Sequence, residues 1–481
     1  MRSKSLARRP FRTGVAARRR PGPRGGEGVG VIELHGIRVL GGEPSALAVH
    51  EGVLVEPFCA PRIDLGGLIA VPALVDLRAH LRAAGGADAV AAAHGGYSDV
   101  VAMPNRTPVT DSVARVRALG RGVRACRVHP AGALTVGLAG QRLAPIAEMA
   151  QAGVRVFSDD ANCLDDAGLL RRAMVAARAA GAVVAQHAQS EALAGGGQVN
   201  AGEAAKQTRL PPWPGVGEEA VIARDVLLAA ETGAALHVSH VSTARSVEIV
   251  RWAKSQGWSV TAEVTPHHLL LDDRAVRGGD TRFKVNPPLR SAADVEALRE
   301  GLRDGTIDAV STDHAPHPAS AKARDWCAAP FGAVGLETAL AVVADVLDGD
   351  WELIARVMSH APARIAGLAG AGRPLEPGEP ATFALVDPDA EWEVRPEELR
   401  GGVANTPFAG LAFRHRVVAT VVGGRVTADP LGLLGGVAGP EEEAGEEAGD
   451  DPARDLRAAR GLRSPWEGPS GSVERRTPPA A

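Results

Sequence analysis

The sequence predicts an α/β fold: a (β/α)8 TIM barrel with a small β-sandwich beside it, the sandwich built from both ends of the chain. Three observations carry this. Eight apolar runs alternate with Ala- and Arg-rich helical segments through the middle of the chain. Short β-type runs broken by Gly and Pro lie on either side. Several of the central runs stop abruptly at Asp or His, as strands do where a barrel builds its site at their C-terminal ends.

The flanking domain spans 29–70 and 375–430, where VIELHGIRVL and SALAVHEGVLVE precede the barrel and ATFALVDP and HRVVATVVGGRVTA follow it. The barrel occupies 71–370. Its strands are expected at Leu68–Leu77, Asp99–Met103, Arg127–Leu134, Val154–Phe157, Val183–Gln186, Leu236–Ser239, Val260–Val264 and Asp308–Ser311. Helices are expected at Asp111–Leu119, Leu169–Ala180, Glu218–Thr232, Ala244–Gln256, Ala292–Arg303 and Leu336–Leu347.

Residues 1–28 are basic; Met1–Gly26 holds eight Arg and one Lys with no acidic residue and no apolar segment after it. That argues against a secretory signal and reads as a disordered arm or a start codon placed too early. Residues 431–481 turn acidic and then Arg, Gly, Ser and Pro rich, a composition expected to stay disordered.

Composition narrows the function classes. Lys plus Arg number 53 against 57 Asp plus Glu, a net charge of -4, which argues against a general nucleic-acid binder. Four dispersed cysteines form neither a disulfide framework nor a cysteine zinc site and suit a reducing cytoplasm. No apolar run reaches the roughly 20 residues of a membrane helix.

The site is read from IDAVSTDHAPH, Ile307–His317. Taken alone, Asp313 could cap the next helix and His314 and His317 could be loop residues. Four other apolar runs end alike, in FSDD, AQHAQ, HVSHVST and EVTPHH. Strands four, five, six and eight thereby supply Asp160, His187, His240 and Asp313, an oxygen and nitrogen set suited to zinc or a similar divalent ion. Metal-assisted hydrolysis, or its reversal, is the implied chemistry.

Nine strings in order, GGYSDVVAMPN, FSDDA, VVAQHAQ, HVSHVST, VTAEVTPHHLLL, KVNPPLR, STDHAPH, GLETAL and NTPFAG, resemble the dihydroorotases of the amidohydrolase superfamily. The likeness is to the bacterial class I type of high-GC actinobacteria, with aspartate where relatives carry a carboxylated lysine. It covers about Val29 to Ala428. The resemblance implies cyclisation of N-carbamoyl-L-aspartate to dihydroorotate in pyrimidine synthesis, and its reverse. It implies that His80, Asp160, His187, His240 and Asp313 hold zinc, one ion or two, and that Asp313 carries the proton. It further implies that Arg82, Asn105 and His317 clamp the substrate carboxylate and that Asn286, Phe331 and Gly332 line the ring. On turn chemistry alone Asn105 and Asn286 are also explained, each beside a proline.

The chain departs from the family at strand one, where an HxH pair is expected and DLRAHLR has Arg78 before His80. Arginine stays protonated and offers a metal no lone pair. The following segment, Arg82–Gly96, lacks the family's acidic REPG-type loop and is short, and FSDDA has Ala161 where glycine is usual. Two outcomes follow: a one-metal enzyme on Asp160, His187 and His240 with Arg78 standing in for the missing charge, or a degenerate scaffold partner of aspartate carbamoyltransferase. Another cyclic-amide hydrolase is the remaining alternative. A buried Arg78 is expected to pair with Asp160 or Asp313, since an unpaired buried charge is costly.

Overall fold

The computed structural model describes residues 32–435, apart from 59, 83–85, 120–124 and 404. The basic arm and the chain beyond 435 lie outside the described residues. Residues 431–435 do not behave as a tail: the Asp429 carboxylate accepts from the Leu433 and Leu434 amides, and Leu434 is 2% exposed.

The protein is α/β. Its parallel strands are β1 (Leu74–Ala79), β2 (Tyr97–Ala102), β3 (Arg127–Pro130), β4 (Val156–Phe157), β5 (Val183–Gln186), β6 (Ala235–Val238), β7 (Val260–Val264) and β8 (Ala309–Val310). They form a three-stranded set, β1 to β3, and a five-stranded set, β4 to β8, every pairing parallel. Isolated parallel bridges, Gly132 with Phe157 and Ala79 with His314, join the two sets at both edges.

A helix follows each strand: α1 (Ala87–His94), α2 (Val113–Leu119), α3 (Ile146–Gln151), α4 (Ala167–Ala179), α5 (Val216–Thr232), α6 (Ala244–Ser255), α7 (Ala292–Arg303) and α8 (Ala339–Val346). Local sequence starts several of them. Asp166 caps α4, Thr243 caps α6, and Ser291 with Asp294 forms a capping box on α7.

Strand alternation sorts the apolar side chains into two cores. Val100, Ala102, Val184 and Leu236 pack toward the helices, while Leu77, Val101, Val156, Val183, Ala185 and Ala309 form a separate cluster. Both faces of most of these strands are thus buried, which is why their runs are continuously apolar; β3 is the exception, with Arg127 exposed and Arg127 and His129 paired with Asp99.

The flanking element is one hydrogen-bonded sheet of eight strands, where two packed sheets were expected. Its order is Arg425–Ala428, Arg416–Val422, Phe383–Asp387, Ile69–Pro72, Ile32–Val39, Pro44–His50 and Val53–Val55, with Arg62–Asp64 also on Ile32–Val39. Leu34, Ile37, Leu54, Phe383 and Val421 give it its own core. The run Leu68–Leu77, expected as one barrel strand, is two. Ile69–Pro72 pairs with Phe383–Val386 in the flanking sheet, and the chain crosses over at Ala73 to begin β1, whose Leu74 amide bonds Gly96. The helix α1 and the pair Val199–Asn200 with Pro212–Trp213 were not anticipated.

Buried carboxylates fasten the loops beyond the strand ends. Asp159 accepts from Thr135, Glu218 from Ser242, Glu263 from Ser311 and Asp76 from Thr312. Arg224 and Asp225 on α5 do the same for the loop after β4, Arg224 donating to the Leu164 and Asp165 carbonyls and to the Asp225 carboxylate. Burial pushes the Asp225 carboxyl up to about 6, against the pull of Arg224. Between roughly pH 4 and 6 the unfolded chain has released this proton while the folded chain retains it, so stability falls as pH rises through that window. Asp225→Asn is expected to flatten this fall, which thermal unfolding of both proteins across pH 4 to 7 will read.

Candidate active site

Six of the eight strands contribute at their C-terminal ends, where side chains leave the sheet pattern. Arg78 and His80 come from the end of β1, Asn105 follows β2, Asp160 follows β4, His187 follows β5, His240 follows β6 and Asp313 follows β8. His240 and Asp313 hold positive φ angles, 33° and 49°, a conformation that non-glycine residues adopt at a cost.

Arg78 lies at the centre. It is 2% exposed, its Nε donates to Asp313 Oδ1 at 3.0 Å, and its Nη2 is hydrogen-bonded to Asp160 Oδ1. The same Nη2 lies 2.8 Å from His240 Nε2 and 3.4 Å from His187 Nδ1. Burial opposes the charge on this guanidinium, but Asp160 and Asp313 outweigh burial and hold its pKa above the ordinary value. A buried cation of this kind persists only with such partners.

The two histidines facing it are neutral. Burial, with Arg78 alongside, lowers the pKa of both His187 and His240. His187 Nε2 lies 2.8 Å from Gln189 Oε1, an acceptor that fixes the proton on Nε2 and leaves the Nδ1 lone pair toward the guanidinium. His187 Nδ1 and His240 Nε2 are only 2.8 Å apart, so two nitrogens and a carboxylate oxygen converge on one cationic nitrogen.

His80 belongs to a second set. Its Nδ1 lies 2.8 Å from Asn105 Oδ1, which directs Nε2 to Asp313 Oδ1 at 3.1 Å and Asp160 Oδ2 at 3.3 Å. Burial lowers its pKa, but Asp160 and Asp313 reverse this and hold it above the ordinary imidazole value. Burial raises the Asp313 carboxyl, but His80 and Arg78 prevail and keep it well below the usual carboxylate range.

Among the described residues, donor atoms for a metal ion group in two ways: Asp160, His187 and His240, or His80, Asp160 and Asp313. In the first, Arg78 Nη2 already occupies the place an ion would take. The sequence leads one to expect the ion there and Arg78 at the vacated first position; the long arginine stem instead carries its charge across the strand ends. The second set fits an ion with Arg78 in place. Asp160 Oδ2 is buried without a hydrogen-bond partner, and the 3.1 and 3.3 Å separations match the roughly 3.3 Å between ligands of a tetrahedral zinc with bonds near 2.0 Å.

The residues expected at the substrate are also near one another. Arg82 Nη1 lies 3.2 and 3.3 Å from the two ring nitrogens of His317, whose Nε2 is 2.8 Å from the Phe331 carbonyl. Burial and then Arg82 push His317 down to about 3, so its ring is neutral. Asn286 Nδ2 donates to Gln189 Oε1 at 2.9 Å, joining it to His187. The Phe331 ring meets Trp213 edge-on with Lys284 Nζ 4.3 Å from its centroid. His314, in contrast, accepts from the Gly335 amide and is buried beside Asp88, a structural placement.

Sequence reasoning missed Gln189 and Asn405. Gln189 sits two residues after His187, a spacing that could have drawn attention to it. Asn405, inside NTPFAG, binds the Ala315 and Gly332 carbonyls and the His317 amide, and only the fold reveals this.

A scan against family models matches residues 67–246 to the Dihydro-orotase-like family. Among curated proteins, the dihydroorotase of Leifsonia xyli subsp. xyli is 50% identical over 404 residues, covering 81% of this chain and 92% of that protein. The dihydroorotase of Mycobacterium tuberculosis is 45% identical over 421 residues, covering 82% and 98%. Among solved structures, the L-hydantoinase (dihydropyrimidinase) of Arthrobacter aurescens aligns with a TM-score of 0.74 at 26% identity, covering 83% of this chain and 96% of that one.

Gly332 has φ +118°, and a Cβ there would stand 2.6 Å from Ala315 Cβ and 3.3 Å from His317 Nε2. Gly332→Ala is therefore expected to destabilise the fold by about 1–3 kcal/mol through backbone strain and to displace His317. Denaturant unfolding measures the first effect and histidine NMR the second.

Proposed function

This chain belongs to the dihydroorotase family, and from that membership we propose that it interconverts N-carbamoyl-L-aspartate and dihydroorotate in pyrimidine synthesis. The observation that carries the reading is 50% identity to a dihydroorotase across 92% of that protein's length. Two bridges, at Gly132 with Phe157 and Ala79 with His314, support closure of the eight parallel strands into one (β/α)8 barrel, with the sheet built from strands between Ile32 and Pro72 and between Phe383 and Ala428 as its neighbour. Hydantoinase-like structural neighbours support the same fold.

The cofactor proposed is zinc, and His80, Asp160 and Asp313 are the donors that fit it with Arg78 in place. Bound there, zinc supplies a Lewis acid and an acidified water. The chain's own residues do the rest. Asp313, kept ionised by His80 and Arg78, accepts the proton of the attacking water and returns it to the ring nitrogen as the amide C–N bond breaks. Arg82 offers its guanidinium to the substrate carboxylate, with neutral His317 holding it in place. Asn105 orients His80 through Oδ1 and keeps its amide N–H groups for the substrate. Asn286, Phe331 and Gly332 border the ring. Ring closure runs the same proton path backwards and releases one water.

No helix among the described residues is long and apolar enough to cross a membrane, and the three described cysteines, Cys126, Cys163 and Cys327, are free. Both support a cytoplasmic enzyme of small-molecule metabolism. A second reading, a silent scaffold for aspartate carbamoyltransferase or for a homo-oligomer, is favoured by one observation, the guanidinium lodged among Asp160, His187 and His240.

Purified protein supplied with zinc is expected to hydrolyse dihydroorotate and to close carbamoyl aspartate, followed by ultraviolet absorbance. Asp313→Asn should lower kcat by about 10²–10⁴-fold with KM little changed, and Arg82→Ala should raise KM chiefly. Absence of turnover in both directions, with co-purification of aspartate carbamoyltransferase, would select the scaffold.

A further inference from the structure

We propose that the Arg78 guanidinium is a built-in replacement for a metal ion: it holds Asp160, His187 and His240 together, restricts the chain to one ion at His80, Asp160 and Asp313, and offers Nη1 to the substrate's reacting carbonyl oxygen. This rests on the reading of the chain as a metal-dependent cyclic amidohydrolase, though its central claim concerns ion number.

Geometry carries the first part. Nη2 stands within 3.4 Å of the two imidazole nitrogens and is hydrogen-bonded to Asp160 Oδ1, the three atoms that would otherwise ligate an ion. His187 Nδ1 and His240 Nε2 are 2.8 Å apart, and the cationic nitrogen lies 3.4 Å from the first and 2.8 Å from the second, so its two N–H groups serve Asp160 Oδ1 and the imidazole pair at every accessible pH. An ion with bonds of about 2 Å to the same atoms would overlap Nη2, so the two are mutually exclusive.

Charge carries the second. With His80 neutral, as a metal ligand must be, the single positive charge of Arg78 leaves one negative charge on Asp160 and Asp313 together. There Asp160 Oδ2, buried and without a hydrogen-bond partner, faces His80 Nε2 across 3.3 Å. One divalent ion suits that remaining charge and that donor set, and a second has no place.

The third part follows from Arg78 Nη1, which is buried and without a hydrogen-bond partner. Orphaned donors of this kind are rare in folded proteins and costly unless a ligand satisfies them. Fixed beside the ion-binding set, Nη1 is suited to a carbonyl oxygen on which negative charge builds as water adds, the service rendered elsewhere by preorganised donors.

Metal analysis of zinc-equilibrated, dialysed protein tests the inference, with circular dichroism confirming that each variant folds. Wild type should hold about one ion per chain, His187→Ala also about one, His80→Ala almost none, and Arg78→His about two, since a histidine restores a donor and vacates the guanidinium's place. Arg78→Ala should lose turnover, with partial recovery on adding guanidinium chloride and none with urea. Two ions in wild type, none in wild type, loss of the ion in His187→Ala with retention in His80→Ala, or no gain in Arg78→His would each overturn the proposal. These counts need no turnover. If wild type holds one ion and the variants behave as stated but no dihydroorotate is hydrolysed, the assigned reaction fails and the ion replacement stands. Turnover by a wild type that holds two ions does the reverse: the reaction stands and the ion replacement fails.

Discussion

A guanidinium buried among two carboxylates and two imidazoles is the constraint on which the rest of the site depends. Removing an isolated cation from water costs several kcal/mol even after relaxation, so Arg78 is tolerable only while β1, β4 and β8 deliver their ends to one place. Its partners Asp160 and Asp313 lie 82 and 235 positions along the chain. The ion pairs therefore act as a test of assembly: a misregistered strand would leave a buried charge without its partner.

Around that centre the loops are held by a recurring device. A buried carboxylate on one segment receives a hydroxyl from the loop next to it, as in Asp76 with Thr312 and Glu263 with Ser311. Such bonds fix the loop backbone directly beneath Asp313, whose positive φ needs external support. The candidate site's side chains thus rest on a layer of hydrogen-bonded carboxylates, and the placement of the first depends on the second.

Much of this was legible in the sequence because its signals are periodic or abrupt. Six expected helices appear within three residues of their predicted limits, since Ala- and Arg-rich segments between apolar runs mark them; the caps Ser291, Thr243 and Asp166 set their starts in the fold. Polar residues ending apolar runs located Asp160, His187, His240 and Asp313. Other features were not legible. The division at Ala73 is invisible within one apolar run, because membership of a sheet is decided by strands more than 300 residues away. The direction Arg78 takes is equally hidden, since a flexible stem reaches several places and packing chooses among them. Gln189 and Asn405 owe their roles to loops that meet only in three dimensions.

The flanking sheet joins the two ends of the described chain, and this sets an order of events on the ribosome. Ile69–Pro72 must wait for Phe383–Asp387, and Val53 for Pro380, so strands made early stand with one open edge while all eight parallel strands and their helices are synthesised. Open edges are sites of unwanted pairing between nascent chains. The polypeptide is consequently most exposed to aggregation just before its last strands emerge, and a deletion of Phe383–Ala428 would leave all eight parallel strands attached to a sheet that cannot close its edge.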